Sequence, residues 1–182
     1  MTAVDAAAAH AELSPEATRS RLLQWQNPMA SAAAGARMAG SEYIGAITAG
    51  EIPPPPMAVL MRMSPVAWSD GRATFEGEPG EEHFNPIGAV HGGYVATILD
   101  SAMGCAVHTT LPAGTGYTTV GLEVKFVRPI TAETGRVRAE AEVIHRGRTQ
   151  ATAEGTVVEA ASGRLLAHGT TTCLILGESR GA

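Results

Sequence analysis

Between Met57 and Leu176, apolar residues recur mostly at every second position. Met57, Val59, Met61 and Met63 alternate with other residues, and so do Ala73 and Phe75 after a turn at Ser69-Asp70-Gly71. From Thr118 to Arg128, Val120, Leu122, Val124 and Phe126 share one face, with Glu123 and Lys125 on the other. Val137, Ala139, Ala141 and Val143 alternate against Arg136, Arg138, Glu140 and Glu142. A turn at Arg146-Gly147-Arg148 leads into Thr149 to Glu159, and another at Ser162-Gly163 leads into Arg164 to Leu176. A period of two with one polar face predicts antiparallel strands covered on one side only.

Gly92 to Thr110 breaks this pattern. Tyr94, Val95, Ile98, Leu99, Ala102, Met103, Ala106 and Val107 recur at helical spacing, which predicts a helix of about five turns that is apolar nearly all round and therefore buried. One long apolar helix among roughly six antiparallel strands is accommodated when the sheet wraps around it, an α+β architecture known as the hotdog fold. Upstream, Ser14-Pro15-Glu16 reads as a helix start, with the helix running to Gln26 and stopping before Asn27-Pro28. Glu42 to Ala49 reads as a short helix ended by Gly50, and the prolines at 53–56 impose an extended entry into the next element. The expected division is an extension over residues 1–52, partly helical and partly disordered, followed by a hotdog domain over 53–182.

Composition narrows the function. With 182 residues, 45% hydrophobic, 17% charged and only 4% aromatic, the chain suits one domain with an aliphatic core. A net charge of −5 disfavours general nucleic-acid binding, which depends on neutralising phosphates. Cys105 and Cys173 sit in apolar runs without zinc-ligand spacing, and neither a basic leader followed by an apolar stretch nor a long uncharged apolar segment is evident. The expectation is a cytoplasmic protein that neither enters a membrane nor holds a metal.

The segment Asn85-Pro86-Ile87-Gly88-Ala89-Val90-His91-Gly92-Gly93, running into the helix that carries Asp100, concentrates the candidate chemistry. Glycines at a helix start either let a reacting carbonyl approach free N–H groups at the positive end of the helix dipole or serve only a tight turn. A carboxylate inside a buried helix is either a base or nucleophile, or a structural Asp bonded to a neighbour such as Ser101. Gly92 and Asp100 stand about 12 Å apart along one helix. If both serve one site, a second copy must complete it, with two antiparallel helices about a two-fold axis. His91 either orients a ligand or packs; Asn85 either donates an amide or shapes a turn. Thr119, read on the polar-facing parity of a central strand, either holds a water or Asp100, or is an ordinary strand threonine. Tyr94 either lines the pocket or packs. The chain lacks a G-x-S-x-G elbow, a phosphate-binding loop and an H-E-x-x-H helix, so carboxylate-driven hydrolysis is the simplest chemistry available.

Asn85, Gly88, His91-Gly92-Gly93 and Asp100 together resemble the hotdog thioesterases of the phenylacetate-degradation (PaaI-like) type. Thr118-Thr119-Val120 and Phe126-Val127-Arg128-Pro129 resemble that family's following strand. The similarity spans Met57 to Leu176, the segment 41–56 is similar to the lead-in of some members, and the resemblance does not extend to residues 1–40. The resemblance implies acyl-CoA hydrolysis at a dimer interface, usually within a homotetramer. It implies Asp100 as base or nucleophile, the Gly92 N–H as the carbonyl's donor, Asn85 and His91 as assistants, and Thr119 as support for the water. Coenzyme A belongs to the substrate, so no separate cofactor is implied. Gly93 and Tyr94 are expected near the substrate. Arg128, Arg146 and Arg148, at strand ends and turns, either reach the phosphates of coenzyme A or are solvated surface charges. Two other readings use the same fold: a non-catalytic acyl-CoA sensor, and an enoyl-thioester hydratase or dehydratase.

Overall fold

Two glycines in the middle of the sheet let the central helix settle onto it. The computed structural model describes residues 18–177. Three helices come first: α1 Pro28–Gly35, α2 Gly40–Thr48 and α3 Pro56–Leu60. β1 Met63–Ser69 and β2 Arg72–Gly77 follow, then the helix α4 Gly92–Thr109, then β3 Gly116–Phe126, β4 Val137–Arg146, β5 Gln150–Glu159 and β6 Leu165–Leu176. The six strands form one antiparallel sheet in the order β1-β2-β4-β5-β6-β3, and α4 packs against every strand of it. This is the hotdog architecture.

Small side chains dominate the sheet's inner face. Ala139 and Ala141 on β4, Ala151, Ala153 and Gly155 on β5, and Ala167 and Gly169 on β6 all point inward and are buried. Ala141 is in register with Gly155, and Gly155 with Gly169. A Cβ at Gly155 would stand 3.1 Å from both the Glu140 carbonyl oxygen and Met103 Cγ, and 3.3 Å from Leu99 Cδ2. Leu99 and Met103 therefore occupy the space that side chains on the sheet would otherwise fill. Ile98, Leu99, Ala102, Met103, Ala106 and Val107 are completely buried. Each large side chain among them contributes on the order of 1.5–3 kcal/mol by leaving water.

Several local expectations are corrected. The helix expected from Ser14 starts outside the described residues, and residues 18–26 are not helical. The Arg21 guanidinium instead holds this segment by donating to the carbonyl oxygens of Val59 (2.8 Å) and Leu60 (3.2 Å) and to Glu82 (2.8 Å). Asn27-Pro28 starts a helix instead of ending one: Asn27 Oδ1 accepts from the Met29 N–H at 3.0 Å, and proline stands in the first turn, where its missing N–H costs nothing.

The alternation from Met57 to Met63 belongs to a short helix, not a strand. Pro55 is extended, at φ −66° and ψ 151°, and Pro56 opens α3. A proline run suits a helix entry as well as a strand entry, because its fixed φ serves both. Arg62, at φ 49°, takes the left-handed conformation after α3, and β1 begins at Met63.

β3 is an edge strand, and its register shifts between Thr119 and Gly121. The irregularity displaces Val120, which is 56% exposed, and Phe126 is 60% exposed, so the four apolar residues do not form one buried face. Thr119 is thereby turned toward α4 instead of toward the polar side.

Gly155→Val should crowd Leu99 and Met103 and destabilise the fold by about 1–3 kcal/mol, the usual cost of overpacking. A lower urea midpoint with an unchanged m-value is the expected readout.

Candidate active site

The loop before α4 is closed by Asn85. Its backbone N–H donates to the Ala89 carbonyl (2.7 Å), and its Oδ1 accepts from the amides of Ile87 (3.0 Å) and Ala89 (3.2 Å). This fixes the side chain, and its NH2 group has no acceptor among the described residues. Gly88, at φ 79°, takes the left-handed turn position that residues with a Cβ seldom adopt. Val90 then ties the loop to the sheet end through an N–H bond to the Ile130 carbonyl at 2.9 Å.

His91 caps α4. Its Nδ1 accepts from the Gly93 N–H at 2.8 Å, which leaves Nε2 as the donor on an exposed ring. The cap separates the roles of the two glycines. The Gly93 amide is engaged, whereas the Gly92 amide has no acceptor among the described residues. A free N–H in the first turn of a helix of 18 residues is a ready donor to negative charge. A Cβ at Gly92 would lie 3.1 Å from the Phe126 ring, so the approach to this amide is narrow.

Asp100 lies eight residues further along the uninterrupted helix, on a stripe that the sheet leaves partly uncovered: Gly93, Ala96, Thr97, Asp100, Ser101, Cys105 and His108. Thr119 Oγ1 donates to Asp100 Oδ1 at 2.8 Å. The carboxylate is thus held by Thr119 from the neighbouring edge strand, not by Ser101. The second carboxylate oxygen has no hydrogen-bond partner among the described residues, and the pair lines a cavity of about 430 Å³. Helix α2 covers the C-terminal half of the stripe: Gly40 N–H donates to the Leu111 carbonyl at 3.0 Å, and Tyr43 packs edge-on to His108. The half bearing Asp100 stays open.

Cys105 also lines this cavity, but it is not poised as a nucleophile. Burial, and then the negative charge of Asp100, push its thiol up to about 12, so it stays protonated at neutral pH. Burial likewise raises the Tyr117 hydroxyl well above its ordinary value and lowers His108.

The remaining candidates are dispersed. Tyr94 is 2% exposed, stacks near His83 and lies outside the Asp100 cavity; its hydroxyl, directed at Gly77, is buried with no partner among the described residues. Arg128, beyond the end of β3, sits at the same end of the sheet as Gly92 and donates to the Leu165 carbonyl at 2.8 Å. Arg146 and Arg148 lie at the β4–β5 turn, at the opposite end. The sequence reading missed Ile44 and Ile47 as cavity walls. The apolar spacing of Ile44 and Ile47 signals an inward face of α2, but not what that face meets.

Comparison with known proteins agrees with this fold. The sequence model of the thioesterase superfamily matches residues 87–165, which hold α4 and strands β3 to β5. Human acyl-coenzyme A thioesterase 13 is 30% identical over 112 residues, covering 61% of this chain and 78% of that protein. Among solved structures, a phenylacetic acid degradation-related protein from Ralstonia eutropha superposes with a TM-score of 0.66 at 29% identity, covering 72% of this chain and 98% of that one. A variant of the phenylacetic acid degradation protein PaaI from Thermus thermophilus superposes with a TM-score of 0.60 at 28% identity, covering 66% of this chain and 98% of that one. With this fold, this helix and these relatives, the chain belongs to the thioesterase superfamily and is a thioester hydrolase.

Proposed function

We propose that the enzyme hydrolyses acyl-CoA thioesters to free acid and coenzyme A, with Asp100 as general base and the Gly92 amide as oxyanion donor. The Asp100–Thr119 hydrogen bond carries this reading. A carboxylate fixed through Oδ1 presents its other oxygen to a water in the adjoining cavity. The water attacks the thioester carbonyl carbon and gives its proton to Asp100. Negative charge on the carbonyl oxygen is stabilised by the Gly92 N–H, with the Asn85 amide and the His91 Nε2–H at hand. Collapse of the tetrahedral intermediate breaks the C–S bond and expels the thiolate of coenzyme A, which takes up a proton.

The site is shared between two copies of the chain. The separation of about 12 Å between Gly92 and Asp100 along α4 prevents one chain from supplying both the oxyanion donor and the base. The open half-stripe of Gly93, Ala96, Thr97, Asp100 and Ser101 carries small side chains that admit a second α4 at close range. A two-fold axis would set Gly92 of one protomer against Asp100 of its partner. It would also bring Arg128 of one protomer to the same end as Arg146 and Arg148 of the partner subunit, assembling positive charge for the phosphates of coenzyme A. The assembly is a homodimer at minimum and a homotetramer by family resemblance. It works in the cytoplasm, where Cys105 and Cys173 remain free thiols. No helix among the described residues is long and apolar enough to cross a membrane.

Asp100→Asn should lower thiol release from acyl-CoA by about 10²-fold or more, the range expected on losing a positioned base; a variant that keeps wild-type activity removes Asp100 from the chemistry. Subunit sharing has its own test. Asp100→Asn and Gly92→Val should each be inactive, yet co-expression should restore activity, because each mixed dimer holds one intact site. Failure to complement would place both groups in one chain. The double variant Arg146→Ala, Arg148→Ala should raise KM for acyl-CoA with little change in kcat, as measured by initial rates.

A further inference from the structure

The cavity beside Asp100 is walled by residues upstream of the family-matched segment 87–165. Asp100, Ser101, Thr118 and Thr119 line one side, and Ile44, Ile47, Pro55, Met57, Met63 and Phe75 line much of the other. Among the described residues, no lysine, arginine or histidine lines it. A cavity whose one charge is a carboxylate disfavours an anionic acyl group, by repulsion and by the cost of desolvation. For the same reason it leaves the phosphates of coenzyme A outside, and what enters is an uncharged apolar tail. Aliphatic walls with adaptable methionine side chains among them suit an alkyl chain.

The wall that α2 supplies is tied to the rest of the domain. Ile44 is 2% exposed and anchors α2 in the interior, while Ile47, one turn on, is half-buried and lines the cavity. The ends of α2 are tied down. Gly40 N–H donates to the Leu111 carbonyl at 3.0 Å, Glu42 accepts from the Ala39 N–H at 3.0 Å, and the amides of Glu51 and Ile52 both donate to the Ala46 carbonyl. A wall fixed at both ends acts as a stop. The cavity, of about 430 Å³, opens in part to solvent and is bounded by α2, which suits an alkyl chain of medium length.

We propose that α2, through Ile47 backed by Ile44, sets the length of the uncharged aliphatic acyl chain that the enzyme accepts. This rests on the thioesterase reading above. The test is kcat/KM from thiol release for butyryl-, octanoyl-, decanoyl-, lauroyl- and phenylacetyl-CoA, using wild type, Ile47→Trp and Ile47→Ala, each checked for folding by circular dichroism. Wild type should prefer octanoyl or decanoyl. Ile47→Trp should lower the decanoyl-to-butyryl ratio by about tenfold or more, the scale of one displaced methylene, and Ile47→Ala should raise the lauroyl-to-octanoyl ratio. If Ile47→Trp does not fold, Ile47→Ala carries the test. Hydrolysis with unchanged ratios in the folded variants overturns the role of α2 and leaves the thioesterase reading standing, and a wild-type preference for phenylacetyl overturns the aliphatic assignment. No thiol release from any of these thioesters by folded wild type overturns the thioesterase reading and this proposal with it.

Discussion

The seating of α4 on a sheet floor of alanine and glycine is the contact on which the rest of the molecule depends. Leu99 and Met103 fit against Gly155, and Leu99 also meets Gly169, so the helix lies where side chains on the sheet would otherwise stand. Interiors are close-packed, and a floor this shallow tolerates little extra volume. The chain's small-residue composition, with few aromatics, follows from that contact: a sheet that wraps closely around a helix has no room for large side chains on both surfaces.

That seating also defines which stripe of α4 is left over. The sheet covers Ile98, Leu99, Ala102, Met103, Ala106 and Val107, and the polar and small residues gather on the remaining side. Asp100 escapes full burial for this reason and meets Thr119, turned toward the helix where the β3 register shifts. At the other end of the stripe, the His91 cap occupies the Gly93 amide and leaves that of Gly92 free. The two groups are held on one rigid rod, so they cannot close on each other. The geometry that positions each of them is also the argument for a partner.

The upstream segment completes the architecture from outside. Helix α2 shields the C-terminal half of the stripe and walls the cavity beside the carboxylate. Arg21 pins the extended segment before α1 to the last carbonyls of α3, which places a cation at the negative end of that short helix. Residues that precede the common core thus shape the space in which the chemistry is proposed to occur.

By itself, the sequence determined what local periodicity can determine: the long helix from Gly92, the strands from Ala73 onward, the hotdog class, and a glycine pair and an aspartate eight residues apart on one helix. These are legible because a period of two or 3.6 records which face meets the core, whatever the partner. Only the tertiary structure decided that Met57 to Leu60 are helical, that β3 is an edge strand whose irregularity exposes Val120 and turns Thr119 to Asp100, and that Tyr94 packs away from the cavity. It alone separated the Gly92 and Gly93 amides, since that depends on where one imidazole nitrogen points. The physical reason is common to all of these. Proline fits more than one backbone context, a register irregularity reverses side-chain parity without changing composition, and hydrogen-bond partners distant in the chain leave no periodic trace in it.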